Sequence, residues 1–334
     1  MIKAATFLCA VVFANMGSAM ECGRVPEPLT SLHLESRYDD SDRSRTTINS
    51  DRLAQAERAL APLDGFIGSL ADQTQALYGK DLDKKRAAAN CILDQLGEWT
   101  SADPLSDLAT ETAKLTVSSR YAALALVLWQ ARAYAPQHPQ TPVILDWLHR
   151  RIEEQVHFWP TAPSGAQKGN LRAWAALAAA SLFVQTDREE LGSWAKHSVQ
   201  EVLCTANEDG SIPQEMSRRH LALHYQYHAI APLMAAASLL EREGIEVTEM
   251  CQGALAKVAQ FGLRELGGAK ETEQITGVAQ SLFNGSDQLE AFQLAWIEAY
   301  LSLFDDAQAE RMANPLRPLN YSKLGGNQTA LWSD

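Results

Sequence analysis

No stretch of this 334-residue chain carries a basic stripe; 29 Lys and Arg stand against 41 Asp and Glu, a formal charge of −12. Phosphate binding needs clustered cations, so nucleic acid is not the expected partner. A local Arg/Lys cleft can still oppose the net charge and hold an anionic sugar. Beyond residue 19 no apolar run reaches the about 18 residues of a membrane span. Alternating β-branched runs are nearly absent, which argues against a sheet. The cysteine separations do not resemble a zinc site, and no repeat of the TPR or HEAT kind is visible.

What is present describes a folded protein: 46% hydrophobic and 21% charged residues, enough for a sizeable core. The start reads as a secretory signal peptide over residues 1–19. Lys3 supplies the positive region, Ala4 to Ala14 the short apolar region, and Gly17-Ser18-Ala19 the cleavage site. Export to the periplasm, or secretion beyond it, is expected. Four cysteines then remain after Cys9 leaves with the leader: Cys22, Cys91, Cys204 and Cys251. Two disulfides are permitted, with three connectivities open. Cys22–Cys91 is the preferred pair because it would tie a loose N-terminus to a helix. Cys204 and Cys251 are equally readable as buried thiols.

From about residue 50 the pattern is helical almost throughout. Apolar residues recur at three- and four-residue spacing over 50–77, 84–100, 117–134, 142–157, 171–185, 189–206, 216–242, 248–265 and 289–304. Pro136 to Pro139, Pro160 to Gly169, Asp209-Gly210, Gly267-Gly268 and Asn284-Gly285 separate them. Long helices with short connections imply antiparallel helical hairpins, and the lack of a repeat favours a closed arrangement over an open array. The expectation is an all-α single domain over residues 20–334, an α/α toroid (incomplete barrel). Two polar or irregular segments, 35–49 and 266–284, are candidate lids or plain surface loops.

The most informative stretch runs from Gly210 through Arg218 to Ile230. Arg218 and Tyr225 are seven residues apart, so on a continuous helix both would face one space. A guanidinium beside a phenol favours the phenolate and would let a tyrosine of ordinary pKa about 10 move protons nearer neutrality. The plain reading of the pair is a surface Arg and a half-buried Tyr. His220, His224 and His228 recur every fourth residue, but no Glu lies between them as in the helical zinc motif, and the stripe should turn away from the Arg218/Tyr225 face. Upstream, Asn170 stands where a helix N-cap would, and capping is its plain reading.

Two segments carry a resemblance. Gly169-Asn170-Leu171-Arg172-Ala173-Trp174 is similar to an Asn-Asn-His-x-Tyr-Trp motif. Pro213-Gln214-Glu215, followed by Arg218-Arg219-His220-Leu221-Ala222-Leu223-His224-Tyr225, is similar to Pro-Asn-Glu followed by Arg-Arg-x-x-Ala-Leu-x-Tyr-His-x-Tyr. Both belong to the periplasmic alginate lyases of polysaccharide lyase family 5, and the 48-residue gap from Asn170 to Arg218 fits without insertion. Ser36 to Arg43, Ala295 to Tyr300 and Lys323-Leu324-Gly325-Gly326 extend the likeness over residues 35–326.

The resemblance implies an α/α toroid and β-elimination of a β-1,4-linked polyuronate, mannuronan/alginate or glucuronan, by a monomer without metal or organic cofactor. Carried over by position, Asn170 would bond the uronate carboxylate, Arg218 would hold charge near the tyrosine, and Tyr225 would shuttle the proton. Trp174, Arg37 and Tyr38 would contact substrate. The motif histidine, however, is Leu171 here, Gly169 and Ala173 also depart, and Gln226 follows the tyrosine. An aliphatic side chain neither accepts a proton nor donates a hydrogen bond; Arg172, one residue on, is a candidate replacement charge. In mannuronate and glucuronate, H5 and the C4 oxygen share one ring face, so one tyrosine can act as base and then acid. Guluronate presents them on opposite faces and should suffer most. The alternative is a lyase-fold protein that binds an anionic exopolysaccharide without cleaving it.

Overall fold

A computed structural model describes residues 22–283 and 289–333; the expected leader and the Asn284-Gly285 breaker lie outside the described residues. Eight long helices dominate. They are α1 (Ser50–Gln73), α2 (Leu82–Thr100), α3 (Ser118–Arg132), α4 (Thr141–Phe158), α5 (Asn170–Thr186), α6 (Glu189–Leu203), α7 (Ala222–Arg242) and α8 (Met250–Glu265). The sequence periodicity predicts all of them, with ends shifted by a few residues. Local chemistry sets several starts: the Asn49 side chain accepts from the Arg52 amide, and Asp81 accepts from Asp83 and Lys84. The antiparallel pairs curl into an incomplete α/α toroid. Among the described residues strand structure is confined to two-residue pairs, Ser31–Leu32 with Asp107–Leu108 and Asn320–Tyr321 with Gly326–Asn327.

Helix α5 is the inner wall. It is apolar all round, with Ala173, Ala175, Ala176, Ala178, Ala179 and Ala180 at most 2% exposed. Small side chains let neighbours approach closely, and α5 packs on α3, α6 and α7. Its N-terminus and that of α7 open on the same cleft, Asn170 and Tyr225 lying in their first turns and lining one recess.

Three expectations need correction. The stretch 216–242 is not one helix: a four-residue helix ends at Met216, Arg219 adopts a left-handed φ of 52°, and α7 begins only at Ala222. The stretch 289–304 divides into Ala291–Leu294 and Trp296–Leu301. The 266–284 segment contains a helix, Lys270–Thr276, and braces the start of α7. There Gln280 accepts from the Leu223 amide at 3.1 Å and donates to the Arg219 carbonyl at 3.0 Å.

Both cysteine pairs are bonded, Cys22–Cys91 and Cys204–Cys251. The first ties the N-terminal segment to α2 as preferred; the second joins the end of α6 to the start of α8, so the buried-thiol alternative falls. No helix among the described residues is long and apolar enough to cross a membrane.

Candidate active site

The segment 35–49 is a strap over the cleft. It doubles back on itself: the Asp39 amide donates to the Thr47 carbonyl, the Asn49 amide to the Arg37 carbonyl, and Tyr38 bridges Ile48. Asp42 closes the turn by accepting from the Ser44, Thr46 and Thr47 amides, and these bonds hold its carboxyl well below the usual range. Arg52 anchors the strap to α1 through paired 2.8 Å contacts to Asp40. At the far side Arg218 Nη2 donates to the Arg45 carbonyl at 2.7 Å.

This strap delivers Arg37 and Tyr38 onto Tyr225. Arg37 Nη2 donates to Tyr225 Oη at 2.5 Å, and the Tyr38 and Tyr225 hydroxyls share a hydrogen bond. The Arg218 guanidinium lies over both rings, 4.2 Å from the Tyr225 centroid and 4.8 Å from that of Tyr38. Arg218 and Tyr225 do converge, but the helical period is not the reason. Arg218 sits in the break before α7 (φ −80°, ψ 7°), and the turn folds it back across the phenol.

The electrostatics also differ from the sequence expectation. Burial raises the Tyr225 pKa, Arg37 and Arg218 pull it down, and burial prevails, leaving the phenol pushed up to about 12. In the free protein Tyr225 is therefore protonated at neutral pH. Forming the phenolate at pH 7 would cost roughly 7 kcal/mol, which the two guanidinia must reduce in the loaded cleft.

Asn170 is not an N-cap. Gly169 occupies that position, and the orphan amide of Asn170 is taken by a carboxylate from another segment. Glu215 Oε1 accepts from Asn170 N at 2.6 Å, and Asn170 Nδ2 lies 3.0 and 3.1 Å from the two carboxylate oxygens. A carboxylate at a helix N-terminus is well placed electrostatically. Even so, full burial outweighs Asn170 and Arg218 and pushes the Glu215 carboxyl up to about 7. Gly169 permits the approach, because a Cβ there would stand 2.3 Å from Glu215 Oε1.

Leu171 faces the cleft beside Asn170 and Arg218, so the missing imidazole is a change in the site itself. Arg172 does not replace it. It points away, 5% exposed, with Nε donating to Ser198 Oγ at 2.9 Å and its guanidinium against Trp159 and Trp194; one residue along a helix swings a side chain about 100°. Burial lowers its pKa to about 10.

Trp174 lines the cleft one turn beyond Asn170, and its Nε1 donates to His228 Nδ1 at 2.9 Å. His228 was expected to turn away from Tyr225; instead its ring stacks with Tyr225 at 6.4 Å, and His224 meets Tyr225 edge-on at 5.1 Å. The two stand three residues apart within α7, only about 60° round the helix, so the helical period itself makes them neighbours. Among the described residues no three His, Cys, Asp or Glu side chains converge as metal ligands.

The cleft runs through three adjoining recesses. Asn170, Leu171, Arg45 and Arg218 are shared by the first and second; Arg37, His228 and Lys323 are shared by the second and third. Arg37, Arg43, Arg45, Arg120, Arg218 and Lys323 thus line it in a chain of net charge −12; Arg120 is paired with Asp64, and Glu35 is spent on Arg52 at 3.2 Å. Glu215, His228 and Lys323 went unassigned in the sequence. Glu215 and Lys323 stand within the resembling segments, which was the only signal for them.

The family described as Alginate lyase matches residues 123–272, which include Asn170, Arg218 and Tyr225. An alginate lyase of Pseudomonas paraeruginosa is 29% identical over 340 residues, covering 97% of this chain and 89% of its own length. One from Pseudomonas aeruginosa is 28% identical with the same coverages. Among solved structures, alginate lyase A1-III from Sphingomonas species A1 superposes with a TM-score of 0.73 at 20% identity, over 93% of this chain and 86% of that one. A Tyr-to-Phe variant of A1-III complexed with a tetrasaccharide gives a TM-score of 0.78 at 20% identity, with the same coverages. Fold and sequence agree along nearly the whole length, and this chain is similar to the alginate lyases throughout.

Proposed function

We propose that this protein is an exported, periplasmic polysaccharide lyase that cleaves alginate at mannuronate, with glucuronan as a second candidate polymer, by syn β-elimination. The observation that carries the reading is the convergence on Tyr225 Oη of the Arg37 guanidinium and the Tyr38 hydroxyl, under the face of Arg218. The two guanidinia favour the anion that a tyrosine base requires, against burial and the neighbouring Tyr38. A binding protein has no need of them.

In the proposed reaction Tyr225 withdraws H5, and the electron pair moves onto the uronate carboxylate as an enolate. That pair then returns to form the C4–C5 double bond as the C4–O bond breaks, and the departing oxygen takes the proton back from Tyr225. Charge growing on the uronate carboxylate meets Asn170, held in place by Glu215, and the cation of Arg218. Without an imidazole at Leu171, the one basic group on that wall is Glu215, whose carboxylate is committed to Asn170, so guluronate should resist cleavage.

A second reading rests on Leu171 itself: a lyase fold that holds an anionic exopolysaccharide without cutting it. One assay separates the two. The mature protein is incubated with polymannuronate, polyguluronate and glucuronan, and the ultraviolet absorbance of the unsaturated uronate product is followed. A rise on a syn polymer that disappears in Tyr225→Phe supports the lyase. Binding without any rise supports the alternative.

A further inference from the structure

Lys323 is a half-buried cation of the cleft that makes neither an ion pair nor a hydrogen bond through its ammonium among the described residues. It stands in the turn Ser322–Leu324 between the two strands of the C-terminal hairpin. That turn is seated hard against the barrel: a Cβ on Gly325 would lie 2.7 Å from Leu126 Cβ, and one on Gly326 would lie 2.7 Å from the Ala71 carbonyl. The backbone there has little freedom, so the ammonium is a fixed feature. The one carboxylate that acts on it, Asp64, is committed to Arg120 through two 2.8 Å bonds. Partial burial, with Arg120 and Arg37 adding to it, lowers the Lys323 pKa to about 8, so the charge lacks a compensating partner.

His228 borders the same space. Its Nδ1 accepts from Trp174, so the neutral ring carries its proton on Nε2. Burial and the nearby Lys323 hold this imidazole well below its usual pKa, in the neutral form. It is thus a donor with no free acceptor nitrogen, unsuited to act as a base. Both residues line the second and third recesses, on the side of Tyr225 away from Leu171, where Tyr321 and Phe292 form the outer wall.

We infer that Lys323 and His228 Nε2–H form a carboxylate-binding position for the uronate next to the one at Tyr225, so that the polymer is gripped by its charge on the far side of the phenol. The inference rests on the polyuronate reading above, and it makes Lys323 a specificity residue and not part of the proton transfer. A bound carboxylate would supply the missing counter-ion through charge-assisted hydrogen bonds.

The test uses Tyr225→Phe protein, in which cleavage cannot confuse binding, and titrates tetramannuronate and its carboxyl-reduced neutral counterpart by calorimetry. Lys323→Met is expected to weaken tetramannuronate about tenfold or more and leave the neutral sugar unchanged, while Lys323→Arg keeps most of the affinity. His228→Gln should show a smaller loss of the same kind. Replacing an unpaired, half-buried ammonium by Met should not lower the melting temperature, which separates a lost contact from a lost fold. In an otherwise wild-type chain, Lys323→Met should raise KM with kcat within a few-fold. Unchanged tetramannuronate affinity, or equal losses for charged and neutral sugars, would overturn the inference. Cleavage by the wild-type chain decides the lyase reading separately, so either can fail without the other.

Discussion

At the scale of the residue, the Asn170–Glu215 pair sets the pH behaviour. Glu215 is a fully buried carboxyl with its pKa raised to about 7, so ionising it opposes folding. The sign follows from linkage: the folded state holds that proton more tightly than the unfolded chain does. Stability therefore falls as pH rises from the ordinary carboxylate range to about 7 and is level beyond it, by on the order of 3 kcal/mol. Glu215→Gln should flatten that slope in thermal melts taken from acid to neutral pH. Activity should run the other way. Protonation removes an acceptor from Asn170, so the wild-type rate should fall below pH 7, and the glutamine variant should lose that acidic limb. Gly169→Ala tests the same contact sterically. The new methyl would displace Glu215 from the α5 N-terminus, and kcat/KM for polymannuronate should drop at least tenfold, with a melting-temperature loss of a few degrees. A fully active Gly169→Ala would mean that Glu215 does not hold Asn170 in its working position.

At the scale of the element, the helices were legible because their causes are local. Apolar spacing, caps such as Asn49 and Asp81, and Pro/Gly breakers all lie within a few residues of what they control. The candidate site was legible only as a set of residue types at given positions. Why Arg218 meets Tyr225 was not, because the left-handed Arg219 that folds the turn is braced by Gln280, 61 residues away. His228 meets the Tyr225 ring for a local reason instead: three residues along the same helix α7 return it to within about 60° of the phenol. Arg172 went astray for a local reason too: a sound helix turned it into the Trp159/Trp194 cluster. Long-range closure also governs stability. The Cys204–Cys251 bond spans 47 residues and joins α6 to α8, a loop whose constraint is worth about 4 kcal/mol on the chain-entropy account. The double substitution Cys204→Ser with Cys251→Ser should lower the melting temperature in non-reducing buffer part of the way to that of reduced wild-type protein, which also loses Cys22–Cys91. No change in the melt would show that the bond constrains little.

At the scale of the whole molecule, charge is divided by place. The surface carries the excess of acid that gives −12 overall, while Arg37, Arg45, Arg218 and Lys323 face one cleft with few free anions to answer them. A low-dielectric cleft focuses such a field, so a polyanion is favoured there despite the net repulsion of the particle. The strap from α1, the N-termini of α5 and α7, and the C-terminal hairpin each contribute one wall, and only the closed toroid brings them together. The central claim is that Tyr225, within that frame, performs syn elimination although Leu171 stands where the family motif has histidine. The measurement that tests it most directly is product absorbance from polymannuronate and polyguluronate, with wild-type and Tyr225→Phe protein side by side, across neutral to alkaline pH. The account predicts cleavage of polymannuronate that accelerates with pH, as a tyrosine of pKa about 12 requires. It also predicts little or no cleavage of polyguluronate and none of either polymer by Tyr225→Phe. Cleavage of polyguluronate at a comparable rate, or activity that survives the loss of the phenolic oxygen, would contradict it.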